Sequence, residues 1–126
     1  MIAVIFEVVP SADGRGEYLA RAAQLTPLLA QVDGFISVER FASITAPAKL
    51  LSLSFWRDEA AVRAWRELEP HRTAQTAGRT GVFDDYRLRV ATVVRDYGLL
   101  ERDEAPPFHA PVTPPVSPAP LPAGLP

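Results

Sequence analysis

The chain contains no cysteine. That excludes disulfides, thiolate metal ligands, cysteine nucleophiles and redox sensing by thiols. No apolar run reaches the ~20 residues that a membrane-spanning helix needs. A basic block or stripe able to neutralise phosphates is missing too: 13 basic and 15 acidic residues are mixed along the chain, for a formal charge of −2. Nucleic acid is therefore not an expected partner, and neither is a membrane. Met1 to Phe6 lack a basic n-region and a small-residue cleavage site, so they read as a strand, and cytoplasmic residence is the expectation. Asp13-Gly14-Arg15-Gly16-Glu17 lacks the third glycine of a nucleotide-binding turn, and no Gly-x-Ser-x-Gly elbow occurs. Without a His-x-x-x-His or a His/carboxylate cluster of suitable spacing, no metal is expected.

Proline is abundant, and its placement divides the chain. Nine of the 13 prolines lie in residues 101–126. Residues 1–100 are the expected folding domain, and 101–126 form a proline-rich tail that favours extended polyproline II conformations.

Within the folding domain, residues 1–9 are an apolar, β-branched strand closed by Pro10 and Asp13-Gly14. From about Glu17, Tyr18, Ala22, Leu25, Leu29 and Val32 form one helical stripe; Pro27 within it predicts a kink, and Asp33-Gly34 the end. Phe35 to Ile44 and Lys49 to Arg57 read as a hairpin turning at Ala46-Pro47-Ala48. Asp58 caps a second helix with Ala61, Val62, Trp65 and Leu68 on its buried face. Pro70 predicts a break near Glu69 and a short new helix to about Ala77, followed by a fourth strand from Asp84 to Tyr97. The order β-α-β-β-α-β predicts an α+β, ferredoxin-like sandwich with an antiparallel four-stranded sheet.

Two helices cover only one face of such a sheet, and a wet second face would show clean alternation. Here Ile2-Val4-Phe6-Val8 and Ala3-Ile5 are both apolar, as are Leu51-Leu53-Phe55 on one side of the third strand. Each Leu- or Phe-sized side chain left in water forfeits roughly 1.5–3 kcal/mol of burial, so a homodimer through the sheet face is expected. Ser52, Ser54, Trp56 and Glu39 are assigned to a partly polar portion of that second face.

The stretch Gly34-Phe35-Ile36-Ser37-Val38-Glu39-Arg40-Phe41, the run Leu51 to Ala60, then Ala64-Trp65, His71, Gln75, Gly78-Arg79 and Tyr86 to Val90 resemble the antibiotic-biosynthesis-monooxygenase family. The resemblance spans about residues 1–99 and implies a dimeric α/β barrel. It further implies a cofactor-independent monooxygenase acting on a planar phenolic, quinol or anthrone-like small molecule. Other members degrade haem, and some have no settled activity, so a non-catalytic dimeric binding module is the reading from another class.

His71 is the candidate proton acceptor: in the first turn of a helix after Pro70 it would stay neutral near pH 7; otherwise it is a surface histidine. Gln75 shares its helical face and stands ten residues after Trp65, where the resemblance places the haem-ligating histidine of the haem-degrading members. An amide is a poor haem ligand and the first strand offers Ile5, Phe6 and Glu7 in place of an asparagine, so no cofactor is expected and haem is the alternative. Trp56 is the candidate for stacking on a planar substrate, with Trp65 either core or a wall of the site. Glu39, Ser52, Ser54 and Arg87 are candidate cleft groups, Glu39, Arg87 and Arg89 being alternatively an ordinary cross-strand charge set. Arg79 is either a gate residue or a solvated loop, and His109 in the tail has no assigned role.

Overall fold

The computed structural model describes residues 1–68 and 81–107. The chain divides into Met1–Val93 and a second unit from Val94 onward. In the first unit the order is β1 (Ile2–Pro10), α1 (Arg15–Leu29), β2 (Phe35–Ala42), β3 (Leu50–Trp56), α2 (Glu59–Glu67) and β4 (Phe83–Thr92). The strands form one antiparallel sheet in the order β2-β3-β1-β4, which bears out the β-α-β-β-α-β expectation.

Register assigns the faces. Ile2 pairs with Trp56 and Thr92, Val4 with Ser54 and Val90, and Phe6 with Ser52 and Leu88. Across β3, Ser54 meets Val38 and Ser52 meets Arg40. This set lies under the helices: Ile2, Leu29, Trp56, Ala61, Val62 and Trp65 form one buried cluster, and Val8, Tyr18, Leu50 and Val82 another. The opposite face carries Ala3, Ile5, Glu7, Leu51, Leu53, Phe55, Glu39, Arg87 and Arg89. Glu7 there bonds Arg89 at 2.7 Å and Lys49 at 3.2 Å, which holds its carboxyl below the usual range, Arg89 contributing most.

This corrects the predicted faces. Ser52, Ser54 and Trp56 sit beneath the helices, while Glu39 is on the open face. Sequence parity relates residues within one strand only; placing Glu39 beside Leu53, and not beside Ser52, takes the inter-strand register.

The stripe Tyr18, Ala22 and Leu29 of α1 is buried as predicted, and the helix runs through Pro27 for two more residues. It starts at Arg15, earlier than the apolar stripe suggests, because the preceding turn docks on the segment before β4: Ser11 N–H donates to the Val82 carbonyl at 2.8 Å. A Cβ on Gly14 would collide with that carbonyl and with Ser11 Oγ, whereas one on Gly16 would meet nothing within 4 Å. Gly14→Ala is therefore expected to destabilise the fold by roughly 1–3 kcal/mol. Gly16→Ala, in the same helix end, should instead stabilise it by about 0.4–1 kcal/mol. Urea denaturation of the two variants checks the contrast.

Asp58 caps α2 as expected, accepting from Ala61 N–H at 2.9 Å. Leu68 has left the helix with ψ 138° and is 41% exposed, so it does not join the buried face. The predicted helix from Pro70 to Ala77 lies outside the described residues. β4 stops at Thr92, short of the predicted Tyr97, because its partner runs out: Thr92 pairs with Ile2 and Val93 N–H takes the Met1 carbonyl at 3.0 Å. In the second unit, turns close through Gly98 N–H to Glu101 and Ala105 N–H to Arg102, with the Arg102 guanidinium 5.2 Å from the Tyr97 ring centre.

Between α1 and β2 the chain is clamped at Gly34 (φ 90°), whose carbonyl accepts from Arg57 N–H at 2.7 Å. Arg57 forks onto Asp33 at 3.2 Å and reaches Asp58 at 3.1 Å. The Arg57 guanidinium holds the Asp33 carboxyl below its usual range; for Asp58 the Ala61 N–H contributes most and Arg57 next. Both carboxylates bind protons less readily folded than unfolded. Their contribution is present above an aspartate's ordinary pKa of about 3.9 and is lost as pH falls through the lower folded values. Wild type and Asp33→Asn should accordingly differ in Tm by a small margin near pH 7, a margin that begins to shrink near about pH 4 and closes once pH is below the lowered folded value.

Candidate functional site

A cavity of about 250 Å³ lies between the helices and the sheet of the first unit. Val4 and Phe6 of β1, Ser52, Ser54 and Trp56 of β3, and Val38 and Arg40 of β2 form its floor. Tyr18, Ala22, Leu25 and Leu29 of α1 and Val62 and Trp65 of α2 form the roof. On β4, Tyr86, Leu88 and Val90 line it while remaining 41–54% exposed, so the cavity opens on that side.

The walls are aromatic at both ends. Trp56, 2% exposed, donates its indole N–H to Ser54 Oγ at 2.9 Å, which satisfies a polar pair that burial would otherwise penalise. Phe35 meets Trp56 edge-on, ring centres 5.2 Å apart. At the other end Phe6, Tyr18, Phe83 and Tyr86 pack edge to face at 5.6–6.4 Å. Such contacts fix the rings and present flat faces and hydrogen-bearing edges to a guest. Burial pushes the Tyr18 phenol up, against the smaller opposing pull of Arg40. Tyr18 is thus a neutral hydroxyl available as a hydrogen-bond donor.

Of the sequence-predicted site residues, Ser52, Ser54, Trp56 and Trp65 come together around this cavity. Trp65 is core and wall at once, 7% exposed within the Trp56 cluster. Glu39 and Arg87 lie on the opposite face of the sheet. His71, Gln75 and Arg79 lie outside the described residues. Tyr18, Arg40, Phe6 and Tyr86 line the cavity without having been singled out; Arg40 was detectable as a cation two residues from Val38, in phase with the apolar set of its strand. For haem, the two positions the resemblance would use on the helical side, His71 and Gln75, are likewise outside the described residues, and of Ile5, Phe6 and Glu7 on β1 it is Phe6 that lines the cavity. Among the described residues no group of three or more His, Cys, Asp or Glu could hold a metal ion, and no helix is long and apolar enough to cross a membrane.

The family model for antibiotic biosynthesis monooxygenases matches residues 1–77. A protein named jasmonate monooxygenase ABM, from Pyricularia oryzae, is 48% identical over 93 residues, covering 74% of this chain and 43% of that protein. The chain thus spans less than half the length of this fungal relative. YqjZ of Bacillus subtilis is 33% identical over 93 residues, covering 74% of this chain and 79% of its own. Among solved structures, a candidate antibiotic biosynthesis monooxygenase from Deinococcus radiodurans superposes with a TM-score of 0.70 at 14% identity, over 79% of this chain and 99% of that one. Rv0793 from Mycobacterium tuberculosis gives 0.69 at 16% identity, over 77% and 98%. At these identities the structures speak for the ferredoxin-like fold alone. The family match and the two sequence relatives establish more: the chain belongs to the antibiotic biosynthesis monooxygenase family.

Proposed function

We propose that the protein is a monooxygenase that oxidises a planar aromatic small molecule, phenolic, quinol or anthrone-like, in the cavity between helices and sheet, with no cofactor of its own. The observation that carries this reading is the aromatic cavity itself: Trp56 rises from the sheet and Trp65 descends from α2 around about 250 Å³ of space. The name of the fungal relative supports the reaction class. In such a reaction the substrate supplies the electrons. Loss of a proton gives an enolate or phenolate, which reacts with O₂. For an anthrone methylene, one oxygen atom becomes the new carbonyl and the other leaves as water with the two hydrogens. The protein then has to orient the ring, accept a proton and offer donors to developing negative charge. Tyr18 and Ser52 are such donors, and His71 is the proton acceptor in this reading.

A second copy completes the proposed assembly. Ile5, Leu51, Leu53 and Phe55 stand half-buried on the open face, and Phe41 beside them is 42% exposed. No described helix covers this face, and a homodimer would bury it sheet on sheet.

Oxygen uptake with a panel of anthrones and hydroquinones tests the activity. The proposal expects uptake of one O₂ per substrate consumed. Silence across the panel would contradict it and leave a non-catalytic binding module.

A further inference from the structure

The cavity holds a positive charge that the described residues around it do not balance. Its lining includes three arginines and, among the described residues, no carboxylate. Arg21 is tied to Glu17 at 2.8 Å, and Arg66 lies exposed on α2. Arg40 is different. It is half-buried on β2, its Nε is shut off from water without a hydrogen-bond partner among the described residues, and the rest of the guanidinium meets only neutral groups there, Thr26 Oγ1 at 3.5 Å from Nη1 and the Tyr18 phenol. No ion pair to Arg40 occurs among the described residues. The Tyr18 phenol beside it stays protonated, because burial raises its pKa more than Arg40 lowers it, so it supplies no counter-charge.

A buried guanidinium nitrogen left without a hydrogen bond carries a cost that an anion on the same fork offsets. Its planar fork matches a carboxylate with two parallel hydrogen bonds. The register sets Arg40 in one row with Ser52 and Phe6, so an anion on its fork lies beside a hydroxyl and at the edge of an aromatic floor. We infer that Arg40 is the anion anchor of the cavity and that the ligand class is an aromatic acid, its rings between the tryptophans and the Phe6 cluster and its carboxylate on the Arg40 fork. This deepens the proposed function and rests on its reading of the cavity as the substrate site.

The test is quenching of Trp56 and Trp65 fluorescence by 2-naphthoate and by the uncharged, nearly isosteric 2-naphthamide. Wild type should bind the acid roughly tenfold to a hundredfold more tightly, the factor expected of a charge-assisted hydrogen bond. In Arg40→Gln the two should agree within about twofold, and Arg40→Lys, which keeps the charge and loses the fork, should fall between. The wild-type comparison needs no variant to fold. Equal affinities in wild type, or a preference that survives Arg40→Gln, would overturn the anchor while leaving the cavity a ligand site. If neither compound binds, the anchor and the reading of the cavity fall together. Tight, Arg40-dependent naphthoate binding in a protein silent in oxygen uptake would uphold the anchor and remove only the oxygenation.

Discussion

Trp56→Ala is expected to destabilise the fold by about 3–5 kcal/mol, enough to unfold many domains of this size. Trp56 is 2% exposed, ends the interior strand β3 opposite Ile2 and Phe35, and packs in one cluster with Leu29, Val62 and Trp65. Removing the indole enlarges an existing cavity of about 250 Å³, and the surrounding strands cannot collapse into it. Ser54→Ala isolates the polar part of the effect: it leaves the indole N–H buried without its 2.9 Å partner and should cost about 1–3 kcal/mol. In the double variant the two losses should be markedly less than additive, since the Ser54 bond exists only for Trp56. Guanidinium denaturation of the three variants measures all three values.

The second large effect concerns the open face. Leu53 lies there between Ile5 and Glu39, at the middle of the apolar stretch. Leu53→Asp should raise the dissociation constant of the proposed dimer at least about a hundredfold. Two leucines lose roughly 1.5–3 kcal/mol of burial each, and two like charges would have to be desolvated together. Sedimentation velocity at micromolar concentration should show a dimer for wild type and a monomer for the variant. A wild-type monomer would contradict the assembly.

Much of this fold is legible in the sequence, for reasons that are local. The stripe from Tyr18 to Leu29, the Asp58 cap and the hairpin turn at Pro47 are set by residues a few positions apart. The termination of α2 at Glu67, ahead of Pro70, follows from the same short-range sterics. What depends on pairing is not legible. Both faces of β1 and β3 are apolar, so nothing in their alternation says which face the helices cover, and Ser52 and Ser54 look like a wet surface. The structure explains them differently: Ser54 is the acceptor for Trp56, and Ser52 faces the cavity. Glu39 and Ser52 look like neighbours until register separates them by a sheet's thickness. Arg40 is concealed by its own ordinariness, since an arginine on an edge strand usually faces water; its buried Nε is a property of the tertiary fold.

The central claim is that substrate occupies the cavity on the helical side of the sheet. It is tested most directly by the oxygen-uptake rate of Ser52→Phe, which plugs the cavity floor, measured beside Glu39→Ala on the opposite face. With both variants folded by thermal melting, Ser52→Phe should lose at least about 90% of the turnover, a change of more than 1.4 kcal/mol in the barrier, and Glu39→Ala should match wild type. Full activity in Ser52→Phe, or its loss in Glu39→Ala, would contradict the account.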